Sequence, residues 1–113
     1  MAINQYKFYG VTLTTTDETT LLTPSAAGAG AVETFIIKSF RVTNNTGNTP
    51  TITITNNGIN IVKTQTLSAN ASTEILTLPL IVESNTSIKV TMSSSDSVSI
   101  GISYLNITQE VTT

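Results

Sequence analysis

The sequence contains no cysteine, no histidine and no tryptophan. Without cysteine and histidine, the chain cannot form disulfides, the usual zinc sites or a nucleophile activated by an imidazole or a thiol. We therefore expect a protein that is not an enzyme, with no catalytic residues, no bound metal, no cofactor and no small-molecule substrate.

Charge is also scarce, at 11% of residues, and the net charge is −2. Five Lys and Arg residues form no basic stripe that could neutralise phosphates, so we expect no binding to nucleic acid. No apolar run reaches the length of a membrane span, and Met1–Gln5 lacks the basic start and apolar stretch of a signal peptide. We expect synthesis in a cytoplasm, with no membrane insertion and no secretion by a signal peptide.

The seven acidic residues show no catalytic or metal-binding spacing. Asp17 and Glu18 are adjacent and would point to opposite faces of a strand, which does not suit paired acid and base chemistry. The other acids are interpreted mostly as solubilising charges beside turns. Calcium is the one metal whose ligand types are present, but Ser94–Ser97 is more simply a hairpin turn.

Alternation of apolar and polar residues runs along most of the chain, and no stretch keeps a helical period over ten residues. Threonine, about a fifth of the residues, favours strands. The alternation predicts strands with one buried face at two places near the C-terminus. The buried face comprises Val98, Ile100, Ile102 and Tyr104 in one strand, and Ile88, Val90 and Met92 in the strand before it.

The segment Thr51–Lys63 predicts a β-hairpin. Asn57-Gly58 is the preferred pair for a two-residue type I′ turn, because both positions need a positive φ. This turn would place Asn56 opposite Ile59, Ile54 opposite Ile61 and Thr53 opposite Val62.

Two further apolar segments are less regular. One predicts a common face formed by Leu76, Leu78, Leu80 and Val82. Pro79 would point to the opposite face of the same strand, and a proline within a strand indicates an edge strand or a bulge.

The other segment is Phe35–Val42. We favour Ile36, Phe40 and Val42 as its inward residues. Lys38 is placed near a strand end, where its ammonium group can reach water.

About eight strands joined by short turns predict an all-β fold, a two-sheet antiparallel β-sandwich of jelly-roll or immunoglobulin-like topology. The predicted organisation is an N-terminal aromatic segment over residues 1–10, one sandwich domain over 11–109 and a C-terminal tail over 110–113.

Half of the six aromatic residues lie in the first ten positions. In one interpretation this segment is a first strand that gives Tyr9, Val11 and Leu13 to the core. Tyr6 and Phe8 then point outward, where exposed aromatic side chains are typical anchors for a partner. The alternative interpretations, a core strand and a partner-binding arm, stay open at this point.

Small residues dominate the segment between Leu22 and Glu33, which predicts a loop. Ala27, Gly28 and Gly30 in this loop are candidate contacts with a neighbouring protein. The loop does not fit a phosphate-binding motif, since no Lys-Ser or Lys-Thr pair follows its glycines.

The segments Glu18–Thr23 and Thr34–Thr46 resemble the opening of small β-sandwich virion proteins of tailed bacteriophages. In that family a Thr/Ile hairpin and an apolar segment follow, and here these are Thr51–Ile61 and Ile75–Val82. The resemblance covers roughly residues 17–107. It implies a capsid decoration (cement) protein or a neck or tail component, and it carries no site residues.

The expected function is therefore that of a non-enzymatic virion structural protein, most simply a capsid decoration protein that stabilises the shell by protein–protein contacts. Its expected partners are the major capsid protein or other virion proteins and further copies of itself, with the virion as its location. One alternative is a neck, tail or fibre component of the virion. Another, from a different class, is a carbohydrate-binding or adhesive β-sandwich module.

Overall fold

The computed structural model describes residues 2–25, 31–76 and 78–110. These residues form nine β-strands and no helix. The described part of the chain therefore has no helix that is long and apolar enough to span a membrane. The strands are β1 (Ala2–Leu13), β2 (Thr19–Leu22), β3 (Ala31–Asn44), β4 (Thr51–Asn56), β5 (Ile59–Thr66), β6 (Ser72–Glu74), β7 (Leu80–Val82), β8 (Ile88–Met92) and β9 (Val98–Glu110).

The strands form two antiparallel sheets, which confirms the predicted all-β sandwich. The large sheet has the order β1-β9-β3-β6, with β7 also paired to β3, and the small sheet has the order β2-β8-β4-β5. Because β6 and β7 pair with successive parts of β3, they share one position in the sheet. The resulting eight positions, with the chain alternating between the sheets except at the β4–β5 hairpin, are those of a jelly roll.

The core lies between the two sheets and is made almost entirely of aliphatic side chains. The alternation predicted for the C-terminal strands is confirmed, since every predicted inward residue there is buried. These residues are Ile88, Val90 and Met92 of β8 and Val98, Ile100, Ile102 and Tyr104 of β9.

Strand β3 contains a β-bulge at Lys38, between the pairs that Ile37 and Ser39 make with β9. A bulge adds one residue and so reverses the parity of the strand on either side of it. Phe35 and Phe40, five positions apart, therefore both face the core. The expectation that Ile36 faces inward was wrong, because that parity assumed an uninterrupted strand.

The β4–β5 hairpin has the predicted turn, with φ of 53° at Asn57 and 77° at Gly58. The pair of Asn56 with Ile59 is also as predicted. Beyond it the register shifts, so that Val62, not Ile61, lies opposite Ile54. Ile61 is left exposed, and the predicted pairs beyond the turn were wrong because β5 carries this irregularity.

The apolar segment around Pro79 forms a strand only from Leu80 to Val82, at the edge of the large sheet beside β3. The predicted edge position is confirmed. Leu76 and Leu80 pack against the core, but Leu78 is 76% exposed, so its predicted inward position was wrong. Proline has no backbone N–H to donate to a ladder, and the strand begins just after it.

The large sheet is much longer than the small one. Its three longest strands, β1, β3 and β9, have 12, 14 and 13 residues, whereas the small sheet has strands of 4, 5, 6 and 8 residues. The molecule is accordingly elongated, with extents of 53 × 22 × 20 Å. The backbone carbonyl oxygens of Ser25 and Pro24 accept hydrogen bonds from the backbone N–H groups of Glu33 and Asn85.

One buried polar side chain, Asn44 at the end of β3, connects three segments. Its Nδ2 donates to the carbonyl oxygens of Asn48 at 2.7 Å and Ser68 at 3.2 Å. Its Oδ1 accepts hydrogen bonds from the backbone N–H and the hydroxyl of Thr46. All of its hydrogen-bonding capacity is therefore used inside the protein.

We expect Asn44→Ala to lower the free energy of unfolding by roughly 2–4 kcal/mol, because it leaves several buried polar groups without partners. Its neighbour Asn45 is exposed and bonds the hydroxyls of Ser97 and Ser99, so Asn45→Ala should cost less than about 1 kcal/mol. Urea unfolding followed by circular dichroism measures both. Equal losses in the two variants would contradict the role assigned to Asn44.

Candidate interaction surface

The structure places the predicted aromatic residues on the outer face of the large sheet, the face that points away from the core. Tyr6 is 79% exposed and Phe8 70% exposed. Both belong to β1, which pairs with β9 from Ala2 to Leu13 without a break. The predicted loop contacts Ala27, Gly28 and Gly30 lie outside the described residues.

An apolar row crosses the outer face near Tyr6. Tyr6 pairs with Leu105 of β9, Leu105 pairs with Ile36 of β3, and Ile36 pairs with Ile81 of β7. Directly opposed residues of neighbouring strands point to the same face, so these four side chains lie side by side. With strands about 4.8 Å apart, the row spans roughly 14 Å between its first and last strand. We call Tyr6, Leu105, Ile36 and Ile81 the outer apolar row.

The apolar surface continues from Ile81 around the edge of the sandwich. Ile81, Ile59 and Ile61 line an open hollow of about 270 Å³, bordered by Glu83. Asn56 of β4 ties the two sheets together here, because its Nδ2 donates to the carbonyl oxygen of Ile81 at 3.0 Å. Ile59 is 65% and Ile81 56% exposed, so exposed apolar side chains extend from β1 to the opposite edge of the molecule, with Asn57, Glu83 and Thr86 beside them in the hollow.

On the other side of Phe8 the outer face is polar. An open groove of about 720 Å³ runs over Gly10, Gly101 and Arg41. The Phe8 ring lies on the two paired glycines: a Cβ added at Gly10 would come within 2.9 Å of the ring, and one at Gly101 within 3.2 Å. Five hydroxyl-bearing side chains line the groove, those of Thr12, Ser39, Thr43, Ser99 and Ser103.

The start of the predicted contact loop is held by Glu33. The backbone N–H of Ser25 donates to Oε1 of Glu33 at 3.0 Å, and Nδ2 of the buried Asn106 donates to Oε2 at 2.9 Å. Burial by itself would raise the pKa of Glu33. The hydrogen bonds from Asn106 and Ser25, together with the positive charge of Lys7, outweigh burial and hold this pKa below its ordinary value. Burial and the Glu33 charge raise the pKa of nearby Tyr104.

Two other acids are also used in local structure. Glu74 accepts a hydrogen bond from the backbone N–H of Phe40 at 2.8 Å, just after the Lys38 bulge. Asp96 accepts bonds from Ser94 and Asn48, which hold its pKa below the ordinary value. Glu33 and Glu74 lie in strands, so their interpretation as loop charges was wrong. In the part of the chain that the structure describes, no group of three or more acidic side chains could hold a metal ion.

Sequence analysis missed three members of the outer apolar row. Leu105 could have been found, since the alternation that turns Tyr104 inward turns Leu105 outward. Ile36 was assigned to the wrong face because the bulge leaves no clear signal in the sequence. Ile81 could also have been found, since the predicted inward face of Leu80 and Val82 turns Ile81 outward.

We expect Glu33→Gln to reduce the stability of the protein at neutral pH. Because the folded-state pKa of Glu33 lies below its ordinary value, its contribution is complete above about pH 5 and is lost as the pH falls through the folded-state pKa. The melting temperatures of wild type and variant should therefore converge in acid, once the pH lies below the folded-state pKa. Glu83→Gln, at an exposed position, is the control for the change in net charge. A difference that does not depend on pH would contradict the assigned role of the carboxylate.

Comparison with known proteins yields structural likeness alone. No protein-family model and no curated protein matches the sequence. The nucleoplasmin-like N-terminal domain of Drosophila FKBP39 is similar with a TM-score of 0.55 and 15% identity, over 96% of this chain and 93% of that one. Dimeric latent PorU from Porphyromonas gingivalis is similar with a TM-score of 0.52 and 11% identity, over 96% of this chain and 13% of that one. At these identities the likeness shows the fold alone, that of the FKBP39 domain and of a part of PorU, and nothing about function follows.

Proposed function

We propose that this chain is a non-enzymatic structural protein of a tailed-phage virion, which decorates the capsid and stabilises the shell by protein–protein contacts. The proposed partners are the major capsid protein and further copies of the chain. The setting comes from the resemblance of Glu18–Thr23 and Thr34–Thr46 to small virion proteins. The proposed stabilisation by protein–protein contacts is inferred from the exposed apolar surface.

The observation that carries the proposal is the outer apolar row and its continuation to Ile59 and Ile61. Isolated exposed apolar residues are ordinary, but a contiguous apolar surface on a small protein marks a contact with another protein or a ligand. This surface lies on the outer face of the large sheet and continues around one edge of the sandwich. A broad, shallow surface of this kind fits another protein surface better than a small molecule, which is usually bound in a deep cavity.

Composition supports the same mode of action. A protein that stays dissolved as a free monomer usually carries more charge than the 11% found here. Hydroxyl and amide groups provide most of the polarity instead. Such a surface can pack against copies or partners without the cost of removing many charges from water.

The test is binding to phage shells that lack the decoration protein. We expect the wild-type chain to bind such shells and raise their melting temperature, and Ile81→Asp to lose at least about tenfold in affinity, since it places a charge in the apolar row. Leu78→Asp is the matched control, because Leu78 is even more exposed but lies outside the row. Circular dichroism checks that both variants fold.

Equal binding of the two variants would show that the row is not the docking face. No binding of the wild type to any part of the particle would overturn the proposed function. An image of the assembled particle separates decoration from the alternative location: density at capsid lattice points supports decoration, and density confined to the neck, tail or fibres supports a component of that part.

Carbohydrate binding is a second candidate, favoured by the polar groove beside Phe8. An exposed aromatic ring next to hydroxyl groups and the exposed Arg41 could contact a sugar. It ranks second because Tyr104, a residue suited to stacking on sugars, is buried in the core.

A glycan array distinguishes the two candidates. The structural role predicts no specific glycan signal from the wild-type chain. Specific binding that disappears in both Phe8→Ala and Arg41→Ala would instead establish the groove as a sugar site. Lys63→Ala, which changes an exposed cation on β5 outside the groove, is the control.

A further inference from the structure

The free edge of β1 is long and regular. β1 makes twelve consecutive pairs with β9, from Ala2 to Leu13, and no other described strand pairs with it. Sheet edges are usually protected by prolines, bulges, several charges or a covering segment. β1 contains no proline and no register shift, and Lys7 is its one charged residue. Within the described residues no strand covers this edge, and an edge of this length is suited to pairing with another strand.

The strand that pairs with β1 must itself have a long, regular free edge. Among the described strands at the sheet edges, β2 has four residues and β6 and β7 have three each. β5 has eight, but its pairing with β4 shifts twice and Thr64 has a φ of 47°. β1 itself is the one described edge strand that meets the requirement, so a second copy of this chain supplies the matching strand.

We propose that two copies of the chain associate through their β1 strands, antiparallel and about a twofold axis at Tyr6. The two five-stranded sheets then form one continuous sheet. The inference deepens the proposed function, on which it rests, by identifying the self-association partner. With the axis at Tyr6, residues 2–10 of each copy are paired, so the contact is about 30 Å long, more than half of the 53 Å length of the molecule.

The position of the axis follows from the side chains on β1. The outer faces of both copies lie on the same side of the joined sheet only if outward-pointing residues of one β1 are opposite outward-pointing residues of the other. An axis at Lys7 would place the two Lys7 side chains directly opposite each other, which is unfavourable. An axis at Phe8 would place Tyr6 of each copy against Gly10 of the other, where the Phe8 ring already lies. An axis at Tyr6 pairs the two Tyr6 rings and sets Lys7 opposite Gln5.

The Tyr6 axis also joins the two outer apolar rows end to end. Each row ends at Tyr6 on the β1 edge, so in the dimer a single row runs from Ile81 of one copy to Ile81 of the other. The apolar docking surface doubles without any new exposed residue. Lys7 adds little repulsion, because its charge already interacts with Glu33 of its own copy.

The first test is the mass in solution, by light scattering after size-exclusion chromatography. The wild-type chain of 12.0 kDa should elute at twice that mass at micromolar concentration. Tyr6→Lys should weaken the dimer at least about tenfold, because it opposes two like charges and removes the aromatic contact. Leu78→Lys, at a similarly exposed apolar position outside the outer apolar row, should leave the dimer intact.

The second test uses the absence of cysteine, which makes single-cysteine variants unambiguous. Tyr6→Cys should be crosslinked into dimers by a short bismaleimide reagent. Thr12→Cys should not, because antiparallel pairing about Tyr6 separates the two Thr12 positions by about 40 Å. Both residues are exposed on the outer face of β1, so their reactivity is matched.

A monomeric wild type, or a dimer that survives Tyr6→Lys, would overturn the proposal. Crosslinking through Thr12→Cys as readily as through Tyr6→Cys would indicate parallel pairing and would overturn it too. These measurements need no phage shell. A dimer that fails to bind shells refutes the proposed function alone, and a monomer that binds them refutes the dimer alone.

Discussion

The one-residue bulge at Lys38 is the constraint on which the rest of the structure depends. β3 is an interior strand of the large sheet with fourteen residues, and it buries Phe35, Ile37, Phe40 and Val42. Its sequence has Phe35 and Phe40 five positions apart, on opposite parities, so a regular strand could bury only one of them. The bulge lets both face the core, and the Glu74 carboxylate accepts the N–H of Phe40 just beyond it.

The same shift divides the outer face into two regions of different chemistry. Before the bulge, the outward position of β3 is Ile36, which completes the outer apolar row. After it, the outward positions are Ser39, Arg41 and Thr43, which line the polar groove. The Phe8 ring lies between the two regions, on the paired glycines. The arrangement that buries the core therefore also produces the apolar surface on which the proposed protein contacts rest.

Much of the fold could be predicted from the sequence. The Asn57-Gly58 turn and the alternation of β8 and β9 are local signals, and the structure confirms them. The incorrect predictions of inward and outward residues share one physical cause. A bulge or a short strand changes the face of the sheet on which a residue lies, but it leaves the amino-acid composition unchanged. This explains the errors at Ile36, Ile61 and Leu78. The exposure of Tyr6 and Phe8 followed from parity within β1, but the row beside Tyr6 depends on pairing among β1, β9, β3 and β7, which no local pattern contains.

The central claim is that other protein molecules cover the outer face of the large sheet around the outer apolar row. Hydrogen–deuterium exchange of the chain, free and bound to phage shells, tests it most directly. The account predicts that slowed exchange on binding is concentrated in residues 2–8, 31–37, 78–82 and 103–109, which carry or flank the outer apolar row. Slowed exchange confined to β2 and β8 of the small sheet, with these segments unchanged, would contradict it.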